Sequence, residues 1–82
     1  MGEITIKKYV YRVEIDTMEE AKRLVAISTR LPGQITLQSG NKFAVNAKSL
    51  LGVLLAKKLN WNDLRIVMDH DYYHEYERFI KA

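Results

Sequence analysis

The chain contains no cysteine. That excludes a disulfide scaffold, a thiolate metal site and a cysteine nucleophile, and it suits a reducing compartment. Proline occurs once and glycine four times, so no linker or low-complexity stretch divides the 82 residues. Long apolar runs are missing as well. The run Ser49 to Ala56 falls far short of the ~20 residues that span a bilayer. Met1 to Lys8 lacks the continuous apolar centre of a signal peptide. A cytoplasmic protein with no membrane partner is expected. Charge is not extreme either: 13 Lys and Arg against 10 Asp and Glu give +3, which permits an acidic partner without demanding one.

What is present is the balance of a globular protein, 48% hydrophobic and 28% charged. A chain of this size folds as one domain, residues 1–82, and buries roughly 60% of its unfolded surface.

Residues 9 to 15 alternate, with Tyr9, Tyr11, Val13 and Ile15 on one side and Arg12 and Glu14 on the other, which reads as a strand with one wet face. Thr17-Met18-Glu19-Glu20 is a capping box and opens a helix whose inner face is Met18, Ala21, Leu24, Val25 and Ser28. Pro32-Gly33 closes it. A second strand turns Ile35 and Leu37 inward and Gln34, Thr36 and Gln38 outward. Ser39-Gly40-Asn41 is a tight turn, and the third strand places Phe43 and Val45 inward. Asn46 is expected to cap a helix from Ala47 to about Leu59. Asn60-Trp61-Asn62 connects to a fourth strand, in which Leu64, Ile66 and Met68 alternate with Arg65, Val67 and Asp69. Asp69 or Asp71 then caps a last helix carrying Tyr72, Tyr76, Phe79 and Ile80. The order β-α-β-β-α-β-α predicts an α+β fold: a four-stranded antiparallel sheet with three helices on one face and the other face open.

The stretch Ile35 to Leu54, with Asn46, Lys48, Ser49, Leu50, Leu51, Gly52, Val53 and Leu54 in order, resembles the middle of the phosphocarrier protein HPr of the bacterial sugar phosphotransferase system. Element order and length are similar over nearly the whole chain. The resemblance implies an HPr-like open-faced β-sandwich. It also implies that Ser49 is a regulatory phosphorylation site beside Lys48, and that the helix carrying Leu50, Leu51 and Leu54 is a docking patch for proteins of the phosphotransferase or catabolite-regulation system. The family's active-site signature, Gly-x-His-Ala-Arg-Pro, is not matched. The His position falls on Thr17 or Met18, the Arg position on Met18 or Glu19, and the Pro position on Glu20. Asp16, Glu19 and Glu20 suit the positive end of a helix but repel a phosphate. The chain is thus similar to family members that lack the phosphorylatable His and keep the regulatory Ser.

Independently of the resemblance, Ser49 at the third position of a helix capped by Asn46 would meet free amides and the positive dipole end. Leu50, Leu51, Leu54 and Leu55 cannot all face one core, which leaves Val53 and Gly52 for the packed side. His70 and His74 are spaced to chelate a metal on a helix, flanked by Asp69, Asp71 and Glu75, but no third ligand stands at fixed spacing, and a solvated pair is expected. Tyr9, Tyr11, Trp61, Tyr72, Tyr73 and Tyr76 fall mostly on the core-facing period and not on the outward face with Gln34, Thr36 and Gln38. No nucleic-acid partner is therefore expected. Lys7-Lys8 and Lys57-Lys58 read as solvated pairs. Taken together, these features predict a non-enzymatic docking module with no cofactor and no metal. The alternatives are a true phosphocarrier relaying phosphate through another residue, and a structural or self-associating module.

Overall fold

In the computed structural model, residues 8–40, 43–58 and 63–81 are described. Seven elements follow one another: β1 (Tyr9–Arg12), α1 (Met18–Arg30), β2 (Ile35–Ser39), β3 (Phe43–Asn46), α2 (Leu50–Lys58), β4 (Leu64–Met68) and α3 (Tyr73–Tyr76). The four strands form one antiparallel sheet in the order β1-β4-β2-β3. The layout is the α+β open sheet that the alternation predicts. The turn residue Asn41, the helix end Leu59 and the connection Asn60-Trp61-Asn62 lie outside the described residues, as does Lys7.

Register explains the core. Ile35 pairs with Met68 and Leu37 with Ile66. Tyr9 and Tyr11 pair with Met68 and Ile66 from the other side. All of these point to the helix layer, because side chains alternate faces along each strand. Ile35, Leu37, Ile66 and Met68 are buried together with Ala21, Leu24 and Val25 of α1 and Val53 of α2. The opposite face carries Val10, Arg12, Thr36, Gln38, Ala44, Asn46, Arg65 and Val67. Val67 alternates outward as expected, yet it is buried. It sits on an inner strand between Val10 and Thr36, which flank it in the ladder.

The helix α1 begins as its capping box dictates. Thr17 Oγ1 accepts the Glu20 amide at 3.1 Å, and Glu20 Oε1 accepts the amides of Thr17 at 3.2 Å and Asp16 at 2.8 Å. Met18, expected on the inner face, is half exposed. It is the first helical residue, and side chains lean toward the helix N-terminus, so Met18 points past the core. Phe43 is also half exposed. It shares the inner face by register with Ser39 but opens the outermost strand. Past α1, Gly33 has φ +91, and a methyl there would collide with the Asp69 carboxylate. Asp69 Oδ2 instead accepts the Gln34 amide at 3.1 Å, and the Tyr72 hydroxyl donates to the Pro32 carbonyl at 2.9 Å.

The last helix is a single turn. Neither carboxylate serves as its N-cap, which is Tyr72. Asp69 is committed to Gln34, and Asp71, one residue before the cap, accepts the Tyr73 amide at 3.2 Å. The apolar stripe leaves the helix after Tyr76. Phe79 is buried, and Ile80 forms a bridge with Val13. The Phe79 carbonyl accepts from the Glu14 amide at 2.9 Å, and the Lys81 amide donates to the Arg12 carbonyl at 3.0 Å.

Tyr76 and Ser28 are both fully buried, with their hydroxyls 2.7 Å apart. The Ser28 hydroxyl donates to the Leu24 carbonyl at 2.8 Å, so the tyrosine hydroxyl donates to Ser28 Oγ. Removing either partner has unequal consequences. Tyr76→Phe deletes a donor whose acceptor keeps another bond, and should cost about 1 kcal/mol. Ser28→Ala strands a buried phenol and should cost more, roughly 1–3 kcal/mol. Urea denaturation of the two variants checks the ranking, and equal losses would contradict this donor assignment.

Candidate functional site

The segment from β3 into α2 is built by local hydrogen bonds. Asn46 Oδ1 accepts the Lys48 amide at 2.9 Å, and the Asn46 carbonyl accepts the Ser49 amide at 3.0 Å. This side chain-to-backbone turn occupies Asn46, and the helix does not begin at Ala47. Ser49 takes the cap instead. Its Oγ accepts the Gly52 amide at 3.2 Å, and its carbonyl accepts the Val53 amide at 3.0 Å. Ser49 is therefore the N-cap of α2 and not its third residue. It is part-buried, with Lys48 part-buried beside it.

Burial is uneven around α2. Val53 and Ala56 are buried, and Leu54 is partly buried against the core. Leu51 is 79% exposed, Leu55 53% and Leu50 42%. Of the expected docking residues, Leu50 and Leu51 are on the outside. Leu54 is less open than that expectation: around the helix it falls between Leu50 and Leu51, yet it is part-buried and packs against the edge of the core. Leu55 takes its place in the exposed patch. A Cβ on Gly52 would lie 3.4 Å from both Ser49 Oγ and Val45 Cβ, so Gly52 fits closely between the cap and β3.

The mouth of α1 offers no equivalent site. The Glu20 amide there is already held by Thr17, and the Asp16 and Thr17 amides by the Glu20 carboxylate. Asp16 and Glu19 stand exposed beside them. Thr17 has a cap role, and Met18 has a half-exposed thioether.

His70 and His74 do not act together. His70 Nδ1 lies 3.0 Å from Asp69 Oδ1, and its ring stacks on Tyr72 with centroids 5.9 Å apart. His74 stands edge-on to Tyr73. Among the described residues no group of three His, Asp or Glu side chains comes together to hold a metal. The Asp69 carboxyl is held below its ordinary value, first by the hydrogen bond to His70 and then by the Gln34 amide. The Tyr11 hydroxyl donates to Asp71 Oδ1 at 2.7 Å, a bond that pushes its pKa up to about 12. Tyr9 and Tyr11 pack against the core, so the described part of the open face has no aromatic on which a base would stack. No helix among the described residues is long and apolar enough to cross a membrane.

No protein-family model, curated protein or solved structure matches this chain.

Two measurements follow from this geometry. Ser49→Ala should lose about 1 kcal/mol by removing the cap, while Ser49→Asp keeps a cap oxygen and should stay within ~0.5 kcal/mol of the wild type. Ser49→Lys should lose at least as much as Ser49→Ala, because it also places a cation at the positive helix end. A denaturation series checks the order, and an intact Ser49→Ala would remove Ser49 from the cap. The second measurement concerns Asp69. A carboxyl whose folded-state pKa is depressed stabilises the fold above its unfolded value and loses that contribution as pH falls. Wild-type stability should thus drop as pH falls below the ordinary 3.8. Asp69→Asn should be less stable at neutral pH and should show a shallower acid limb.

Proposed function

We propose that this chain is a non-enzymatic docking protein of the HPr type, in which the outer face of α2 meets its partner and Ser49 is the point of control. One observation carries the reading: three exposed leucines, Leu50, Leu51 and Leu55, follow directly on a serine that caps their helix. A phosphate on that serine would carry about −1.5 to −2 charge into the partner-facing patch, at a helix end where negative charge is favourable. It would change docking without unfolding the helix. Supporting the family assignment are the element order, the open four-stranded sheet and the Asn46-to-Leu54 sequence pattern. The closed capping box at α1 supports a role without phosphoryl relay at that mouth. On this reading the partners belong to the phosphotransferase or catabolite-regulation system of a bacterial cytoplasm.

A second reading has its own observation. His70 is held through Nδ1 by Asp69, and its side chain is 63% exposed. An imidazole oriented by a carboxylate is the arrangement of a relay through another residue.

Intact mass after incubation with phosphoenolpyruvate and the general phosphotransferase enzyme separates the two. The docking reading expects no added phosphate, and a phosphate mapped to His70 would replace it with the relay reading. Leu51→Glu provides the complementary check. Its stability should change by less than ~0.5 kcal/mol, as at other surface sites, while capture of the partner is lost. A melting point lowered by more than ~8 °C would place Leu51 in the core and end the docking argument.

A further inference from the structure

We propose that the outer edge of β1, from Lys8 to Tyr11, takes up an extended segment of another protein, which adds to the sheet as a strand and carries carboxylates beside its apolar residues. This surface is separate from α2 and does not depend on the docking reading.

Hydrogen-bonding groups alternate sides along an antiparallel strand. Tyr9, Tyr11 and Val13 turn theirs toward β4, and the Val13 amide donates to the Leu64 carbonyl at 3.0 Å. Val10, Arg12 and Glu14 turn theirs outward. The C-terminal segment meets part of that row: the Arg12 carbonyl accepts from Lys81, and the Glu14 amide donates to Phe79. Its reach ends there. The Val10 amide and carbonyl have no partner among the described residues. Backbone groups left unpaired on a sheet edge are already arranged to bond a further extended chain.

Side chains on both faces favour that addition. Val10 is 51% exposed on the open face, and Tyr73 is 38% exposed on the helix face. Tyr73 is fixed in place. Its ring stands edge-on to Tyr11 with centroids 5.3 Å apart, and its amide donates to the Asp71 carboxylate that also accepts the Tyr11 hydroxyl. Successive side chains of an added strand point to opposite faces, so it would cover apolar surface on both.

Charge beside Val10 selects the occupant. Lys8 and Arg12 share its face by alternation, and Lys81 joins them because it lies opposite Arg12. Lys8 and Lys81 have no ion-pair partner among the described residues, and Arg12 reaches Asp63 only at 3.7 Å with its side chain 72% exposed. Carboxylates on a neighbouring strand complement these cations. A second copy of the chain does not. A two-fold contact centred on Val10 sets Lys8 opposite Arg12, whose outer side the C-terminal segment already fills, and one centred on Tyr9 brings the two Lys8 side chains together diagonally.

The test uses the full chain and three synthetic peptides of about seven residues, built on the same alternating Val and Tyr centre. One is flanked by glutamates and one by lysines. The third is the glutamate peptide with alternate backbone amides methylated, which keeps every side chain and removes the donors that a ladder needs. Amide chemical shifts locate binding, anisotropy measures it, and hydrogen exchange reads the Val10 amide. The glutamate peptide should shift the amides of residues 8–12, slow exchange at Val10 at least about tenfold, and bind at least about tenfold tighter than the lysine peptide at low salt. The methylated peptide should not bind. Lys8→Glu should remove the preference for glutamate. Val10→Pro deletes only the outward amide, an edge position where proline is tolerated, and with its fold checked by circular dichroism it should weaken binding. Equal binding of the methylated peptide would overturn strand addition whether or not Val10→Pro folds. Equal binding of the glutamate and lysine peptides would overturn the acidic occupant. Shifts at residues 8–12 that appear on concentrating the chain without peptide would replace it with a second copy. Peptide shifts confined to residues 50–58, or none at all, would overturn the inference and leave the docking reading to its own tests.

Discussion

Ile35, Leu37, Ile66 and Met68 line one face of the two inner strands, and removing that row from water is the constraint on which the rest of the structure depends. Each such side chain contributes about 1.5–3 kcal/mol when fully buried. Two paired inner strands with one apolar face need a cover, and α1, α2 and the segment around Tyr76 and Phe79 provide it. Once Val53 and Ala56 are committed to that cover, a helix as rich in leucine as α2 has no second core to face. The exposure of Leu51 and Leu55 is thus a by-product of packing geometry as much as a feature of the surface. A docking function would use what the core leaves over.

The strands are legible in the sequence because their alternation is strict. Ile35 and Leu37 against Thr36 and Gln38 admit one register, since a one-residue slip would expose the whole apolar set. The α1 boundary is legible for a local reason: the capping box is a four-residue signal that needs no tertiary help. Ambiguity arises where a local signal has two solutions. Asn46 and Ser49 are both good cap residues three positions apart. Sequence alone does not decide between them, and the structure uses both, one for the turn and one for the helix. The single turn of α3 looks longer in the sequence because Tyr72, Tyr76, Phe79 and Ile80 keep helical spacing. Phe79 and Ile80 turn inward after the backbone has left the helix to meet the end of β1.

Within the candidate site, sequence separates Val53 from Leu50 and Leu51 but does not show that Leu54 is part-buried, and it leaves out Leu55. Composition hides that choice, since five of the nine helical residues from Leu50 onward are Leu or Val and no polar residue marks a boundary before Lys57. A signal that local periodicity does not show is the carboxylate-free span from Ala21 to Asn62. A modest net charge conceals it, because the total averages over regions of opposite sign.

The C-terminal segment has a consequence for the molecule's colloidal behaviour. In the ladder β1 is an edge strand, but beyond Tyr11 its outer side is occupied: the tail supplies the Phe79 carbonyl and the Lys81 amide to Glu14 and Arg12. Unpaired edges are templates on which foreign strands add and sheets grow into aggregates. Here residues 79–81 act as a stopper on one side. A truncation or fusion that pulls them away would expose that edge and convert a closed surface into a nucleation site, even if the core were untouched.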